Sequence, residues 1–302
     1  MFTLEELLSK KNQSMAFSYL SKKKDGCGKD GMKLSRLQEY WELNKERICQ
    51  EIGEGIYTPG IVEMYEILKP NGKKRTLSKW NSIDRFITRL LEQKLTRYIE
   101  PTFLENSLAY QEGKGVLCAV MKAKEYIEKG YEYVMEIDIK DYFDNIPINR
   151  LEMLIAERIS DERVLNLIKK YLNCKVSKDG IISMKEKGLV QGCSISPVLS
   201  NLYLHELDIY MQKKELLWFR YADNIYIYVQ NSEKSSEIYA DICEKVIQEF
   251  DLNINEKRSG ICSVFSKKVL GYEFYKKGDF VEVRRAKLQQ DEVNSNWNRT
   301  IV

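Results

Sequence analysis

The sequence predicts an α+β fold, and two observations carry that expectation. Stretches with apolar residues at helical spacing are interleaved with short β-rich runs, and the second half of the chain reads strand, helix, helix, hairpin, helix, strand. Pro, Gly and Asn fall where these runs end, so several strands are expected to pair as hairpins. With 302 residues, 43% of them apolar, the chain can hold about two domains, or one large domain with subdomains, around a sizeable core.

The elements follow in order. Residues 4 to 23 read as helical, and "KKKDGCGKDGM" (22 to 32) is a glycine-rich basic loop. Leu34, Leu37, Trp41, Ile48 and Ile52 recur at helical spacing and predict one amphipathic helix over 33–54, broken by "YTPG". "IVEMYEILKPNGKKRTL" (61 to 77) alternates as a strand, turns at Pro70-Asn71-Gly72 and resumes, which predicts a hairpin with lysines at its tip. Helices are expected over 82–100, ending before Pro101, and over 115–129. "YVMEIDI" reads as a buried strand, and "DYFDNIPINR" leads from it to helices over 148–158 and 161–172. "QGCSISPVLSNLYLHELDIYMQKK" is a Gly/Pro turn feeding a helix. "WFRYADNIYIYV" is two apolar strands interrupted by Asp223-Asn224. A helix over 234–250, a loop and strand in "LNINEKRSGICSVF" and a hairpin in "KVLGYEFYKKGDFVEVRR" complete the chain up to a patternless tail from Lys287.

Composition excludes several classes of function. The seven cysteines are scattered without a C-x-x-C pair, and His205 is the sole histidine. Zinc sites, a disulfide framework and chemistry needing a histidine pair are therefore not expected, and the thiols read as reduced. The acidic start "MFTLEELLSKKNQ" has no signal-peptide pattern, and no apolar run can span a bilayer. With a mean hydropathy of −0.45, the expectation is a cytoplasmic protein without membrane contact. Net charge is only +3, but Lys69 to Arg97 holds nine basic residues against two acids. That density reads either as a solvated helix face or as a phosphate-binding surface.

Two carboxylates stand at strand ends. Asp138 closes "YVMEID" and Asp223 sits in the turn of "FRYADNIYIY". Brought side by side they would make an oxygen-rich pocket suited to Mg²⁺ and to two-metal chemistry on phosphates. Taken singly, each has an ordinary explanation: Asp138 caps the following turn, and Asp223 fits a hairpin turn.

The motifs occur in the order of a reverse transcriptase, and from about residue 22 to about 275 the chain resembles bacterial reverse transcriptases related to group II intron proteins. "KKKDGCGKDGMKLSRLQEYW" resembles their N-terminal extension, "YTPGIVEMYEILKPNGKKRTL" with "SIDRFITRLL" the first fingers motif, and "SLAYQEGKGVLCAV" the second. "EIDIKDYFDNI", "LVQGCSISPVLSNLYLHELD", "FRYADN", "LNINEKRSG" and "KVLGYEF" resemble motifs A to E. The resemblance implies a right-hand polymerase fold with an antiparallel palm sheet backed by helices. Residues 1–130 would be extension and fingers, 131–275 palm, and 276–302 a stub or the start of a thumb. Few residues follow motif E, so a short or truncated thumb is expected.

It further implies that Asp138, Asp223 and Asn224 form the catalytic set, with Asp138, Asp223 and the Ile139 carbonyl holding two Mg²⁺ ions (Mn²⁺ as a substitute). Phe143 would stand against the sugar of the incoming nucleotide and select deoxynucleotides. Lys69 and Arg75 would grip the triphosphate, and Gln191-Gly192 would line the nascent base pair. Lys73 and Lys74 are candidates for template contact. Lys114 could supply the charge that the family carries as Arg at the position of Gln111. Lys257 and Arg258 are candidates near the leaving group, although arginine does not readily give up a proton. His205 reads as structural.

The family pattern is Tyr-Ala-Asp-Asp, and Asn224 replaces its last acid. The change either is engineered, or is tolerated because two acids remain, or marks a protein that binds nucleic acid without copying it. The expected function is RNA-directed DNA polymerisation from a primer 3′-hydroxyl, with an RNA template, a DNA primer and dNTPs. The template could be a dedicated non-coding RNA, with a protein partner or oligomer, in antiphage defence or a retroelement. The alternatives are the non-copying binder and a polymerase that uses DNA or no template.

Overall fold

The computed structural model describes residues 2–68, 74–231, 235–278 and 280–286. Its elements begin with α1 (Leu4–Leu7), α2 (Lys10–Ser21), α3 (Leu37–Gly53), β1 (Val62–Leu68), β2 (Lys74–Lys79) and α4 (Ser82–Ile99). There follow α5 (Val116–Glu128), β3 (Tyr133–Asp138), α6 (Tyr142–Asn145), α7 (Ile148–Ala156), α8 (Glu162–Leu172), β4 (Lys175–Lys178) and β5 (Ile181–Met184). The chain continues with α9 (Ser196–Lys213), β6 (Leu217–Tyr221), β7 (Asn224–Val229), α10 (Ser235–Gln248), β8 (Gly260–Ser263), β9 (Tyr272–Lys277) and β10 (Phe280–Arg285). Helices and sheets in this order make an α+β protein. No helix among the described residues is long and apolar enough to cross a membrane.

The chain forms two compact units, each assembled from two separate stretches. Among the described residues, the first holds those up to Thr102 together with Pro147–Leu199, and the second holds Phe103–Ile146 and those that follow from Ser200. Each unit leaves and re-enters the sequence.

In the first unit α4 is the central helix. Phe86, Ile87, Leu90, Leu91 and Leu95 are fully buried, spaced so that they form a broad apolar face along one side of the helix. Phe17 of α2 stacks on Phe86 at 4.3 Å between centroids, and Trp41 of α3 meets the same ring edge-on at 4.9 Å. The sheet runs β2-β1-β4-β5, with β1 and β4 parallel and the other pairs antiparallel. Hairpin β4–β5 is an element the sequence analysis does not assign. It turns at Asp179 and Gly180, with φ of 52 and 82, the double left-handed turn that Asp-Gly supplies.

At the start of α4 the Asp84 carboxylate is buried beneath Tyr57 and Tyr171. Both hydroxyls donate to Oδ1, at 2.8 and 2.9 Å, and the Gly60 amide donates to Oδ2 at 3.0 Å. Burial pushes this carboxyl above the usual carboxylate range, against the opposing hydrogen bonds.

The second unit is built on the antiparallel sheet β6-β7-β3-β8. One face carries Val134, Phe219, Tyr226 and Tyr228, which pack with α5 and the β9–β10 ribbon through Ala119, Ala123, Tyr126, Phe274 and Val281. The alternate residues Met135, Ile137, Trp218, Arg220, Ile225 and Ile227, all fully buried, lie on the other face. Near-continuous apolar strands such as "IYIYV" follow from a sheet covered on both sides.

Candidate active site

Strand β3 brings Asp138 to one end of the second unit's sheet. Residues two apart on a strand share a face, so Asp138 continues the row of Val134 and Glu136 out of the core. On β7, Asn224 is the register partner of Asp138, and Tyr221 of β6 is the partner of Asn224. Ala222 and Asp223 form the two-residue connection. Ala222 takes φ 56, a left-handed conformation that costs a residue bearing Cβ about 1–2 kcal/mol.

The Ile139 amide donates to the Asp223 carbonyl at 3.2 Å. Bonded and unbonded pairs alternate in an antiparallel ladder. Asp138 and Asn224 are therefore the unbonded, closer kind, with Cα atoms about 4.5 Å apart and side chains on one face. The Asn224 amide donates to Asp223 Oδ1 at 3.2 Å. Three oxygen-bearing side chains thus gather at one end of the sheet.

Asp138 is 5% exposed. Its Oδ1 accepts from Asn255 Nδ2 at 2.8 Å, and Arg258 Nη1 stands 3.5 Å from its Oδ2. Its backbone is held by the same loop: the Asp138 amide donates to Ser259 Oγ at 2.9 Å, and its carbonyl accepts from the Asn255 amide at 2.8 Å. The Arg258 side chain is 62% exposed, so this ion pair is solvent-screened and contributes little stability.

Beneath the turn lies Arg220, fully buried. All five of its N–H bonds have acceptors. Nε and Nη2 bind the two oxygens of Asp208 at 2.7 and 2.6 Å, and Nη2 also reaches Ser107 Oγ at 3.0 Å. Nη1 binds Asn201 Oδ1 at 2.9 Å and the Ala222 carbonyl at 3.0 Å. Burial opposes the charge on Arg220, but the Asp208 carboxylate outweighs it and raises the guanidinium's pKa. Burial also pushes the Asp208 carboxyl up, against the pull of Arg220. The bidentate geometry decides between these directions: both carboxyl oxygens take short guanidinium bonds, as an ion pair does.

After β3 the chain bends at Asp141, φ 46, and separates two adjacent rings. Tyr142 is buried and donates to the Ser200 carbonyl at 2.6 Å. Phe143 is half-buried and meets the exposed Tyr110 edge-on, centroids 6.2 Å apart. The ring that the sequence assigns to nucleotide selection is thus the one not committed to the core.

The remaining sequence-predicted residues are placed as follows. Lys114 extends its ammonium to the carbonyls of Leu104, Glu105 and Ser107 at 3.1–3.4 Å, beside the Gln111 amide, which also binds the Ser107 carbonyl. Lys257 is exposed. Gln191 and Gly192 belong to the first unit, where Ser78 of β2 donates to the Gln191 carbonyl. Gly192 has φ 92, and an added Cβ would stand 3.1 Å from Ser78 Oγ, so only glycine suits this turn. Lys74 and Arg75 open β2, while Lys69 and Lys73 lie outside the described residues. His205 is buried, 5.5 Å from the Phe103 ring.

Sequence reasoning missed Asn201, Asp208, Arg220, Asn255 and Ser259. Arg220 carried a signal, a charge inside the apolar run "LWFRY", which burial permits only with a partner. Asn255 and Ser259 lie in the stretch that resembles motif D, but nothing in the sequence singles them out as partners of Asp138.

No cluster of three or more His, Cys, Asp or Glu is arranged to hold a metal among the described residues. The sheet end does offer two carboxylates, an amide oxygen and nearby backbone carbonyls. An all-oxygen donor set fits a hard divalent cation that keeps part of its shell as water or substrate oxygen.

The family profile described as "Reverse transcriptase (RNA-dependent DNA polymerase)" matches residues 67–274. The group II intron-encoded protein LtrA of Lactococcus lactis subsp. cremoris is 27% identical over 276 residues, 87% of this chain and 45% of that protein. Protein YkfC of Escherichia coli (strain K12) is 28% identical over 193 residues, 63% of this chain and 51% of that protein. An uncharacterized 91 kDa protein in the cob intron of Schizosaccharomyces pombe is 32% identical over 156 residues, 52% of this chain and 19% of that protein. The chain thus spans about half the length, or less, of these curated relatives.

Proposed function

Since the chain belongs to the reverse transcriptase family, we propose that it is an RNA-directed DNA polymerase that adds dNTPs to a primer 3′-hydroxyl. The observation that supports this most is the gathering of Asp138, Asp223 and Asn224 at one sheet end, in the stretches that resemble motifs A and C. In this reading the second unit is the palm, the first contains the fingers, and the chain acts in solution on an RNA template and a DNA primer.

Asp138 and Asp223 would hold two Mg²⁺ ions, with the Ile139 carbonyl and the Asn224 amide oxygen as neutral ligands. Bound there, the ions would lower the pKa of the primer hydroxyl and balance the charge of the departing pyrophosphate. The chain's own residues do the positioning. Asn255 and Ser259 fix Asp138, and the β6–β7 turn presents Asp223. Phe143 offers a ring face to the sugar and crowds a 2′-hydroxyl. Arg258 stands beside Asp138 as a fixed positive charge for phosphate oxygens, a role that needs no proton transfer. Arg75 and Lys69 are assigned to the triphosphate, Gln191 and Gly192 to the nascent pair.

One observation favours a second reading. Asn224 spends an amide N–H on Asp223, where a second acid would add charge, and the site is poorer in anions than the family pattern. A protein that binds nucleic acid without copying it would carry such a change. Incorporation of labelled dNTPs on an RNA template, measured with the given chain and with Asn224→Asp, separates the two. Divalent-dependent incorporation by the given chain is the expected result. Incorporation by neither protein overturns the polymerase reading, and incorporation by Asn224→Asp alone favours the second.

A further inference from the structure

Asp223 depends on two backbone hydrogen bonds, one on each side. Downstream, its own carbonyl accepts from Ile139, the residue after Asp138. Upstream, the Ala222 carbonyl accepts from Arg220 Nη1. The peptide between Ala222 and Asp223 is thus gripped from the sheet face opposite the one that carries Asp138 and Asn224.

That grip is itself anchored. Asn201 and Asp208 lie two helical turns apart on α9, hence on one side of the helix, and together they take three of the guanidinium's N–H bonds. A fourth goes to Ser107, whose neighbours pair with the Arg220 backbone: the Leu108 amide donates to the Arg220 carbonyl, and the Arg220 amide donates to the Asn106 carbonyl, each at 2.9 Å. The fifth is the bond to Ala222. The residue that receives it is in the left-handed region at φ 56 without being glycine, so its conformation needs support from outside the turn.

We propose that Arg220 is a positioning residue: Asp208, Asn201 and Ser107 fix its guanidinium, which fixes the Ala222 carbonyl and thereby aims the Asp223 carboxylate for divalent cations. The aim at cations rests on the proposed polymerase reading; the hold on the turn does not. Lysine cannot substitute, because a single ammonium lacks the planar fork that serves Asp208 and Ala222 at once. Asp208 also neutralises Arg220, so the guanidinium supports the turn without adding net charge near a cation site.

The test uses Arg220→Met combined with Asp208→Leu, since apolar replacement of a whole buried pair commonly preserves folding, with Arg220→Lys as a second variant. Thermal unfolding establishes that each is folded. Mn²⁺ affinity is read by electron paramagnetic resonance, and exchange of the Ile139 amide by NMR on isoleucine-labelled protein. The expected result is about 10- to 100-fold weaker Mn²⁺ binding, with faster exchange at Ile139 while Ile137 on the same strand keeps its protection. Unchanged affinity and unchanged Ile139 exchange in a folded variant overturn the proposal. If the unaltered chain binds no Mn²⁺, the metal reading of Asp138 and Asp223 fails instead, and Ile139 exchange alone decides the hold on the turn. If the double variant does not fold, Arg220→Lys carries the same two readouts.

Discussion

Each unit buries a carboxylate at the end of an element, and the two are satisfied in opposite ways. Asp84 in the first unit is 1% exposed, surrounded by two tyrosine hydroxyls and an amide. Asp138 in the second is 5% exposed, beside an exposed arginine and the Asn255 side chain, with Asn224 as its partner across the ladder. Burial alone therefore does not mark a site. Neutral donors close the coordination of Asp84 and tie α4 to its neighbours. Asp138 is held by Asn255 on one oxygen, while its other oxygen faces a solvent-screened guanidinium that contributes little stability. Charge follows the same division. The first unit's stretches, 1–102 and 147–199, carry 28 basic residues against 20 acidic, and the second's, 103–146 and 200–290, carry 19 against 23. A basic unit suits a phosphate backbone, and an acidic one suits metal ions.

The comparison breaks most readily at its acidic end. Asp138→Ala or Asp223→Ala is expected to lower dNTP incorporation by about a thousandfold or more, equivalent to about 4 kcal/mol. Unfolding temperatures should stay close to the parent's, measured by calorimetry on the same samples. Asp208→Ala strands a buried guanidinium and should instead cost about 3–5 kcal/mol of stability in denaturant unfolding.

Asn224→Asp sharpens the comparison by restoring an anion. It should tighten Mn²⁺ binding about tenfold, since one added charge near a cation in a partly screened site amounts to a kcal/mol or more. The Asn224-to-Asp223 hydrogen bond is lost in the exchange.

The smallest effect belongs to Asp84. Its folded-state pKa lies above the unfolded value, so the folded protein holds the proton more tightly. Stability is then greatest below the unfolded pKa and declines as pH rises through the folded one. Asp84→Asn should abolish that slope in thermal unfolding followed across acidic pH. It should also cost about 1–2 kcal/mol, because an amide nitrogen at the Oδ2 position would face the Gly60 N–H.

Much of this was legible in the sequence because it depends on local pattern. The hairpin over "FRYADNIYIY" and the strand ending at Asp138 follow from β-rich runs and turn residues. The ordered motifs, by their resemblance to the family's, point to Asp138 and Asp223 as a pair. Hairpin β4–β5 went unassigned: Asp179-Gly180 marks its turn, but its strands are short and exposed and lack the alternation that flags a strand. The two nested units were not legible, since periodicity reports what each segment is and not which others it packs against. The supports of the site were hidden for the same reason. Asn255 reaches Asp138 across 117 residues of sequence, and Ser107 reaches Arg220 across 113.

The central claim is that Asp138 and Asp223 jointly hold divalent cations. Mn²⁺ titration followed by electron paramagnetic resonance, on the parent chain, Asp138→Asn and Asp223→Asn, tests it without requiring activity. Binding by the parent that is lost in both folded variants is the predicted result. Equal binding by all three would contradict it.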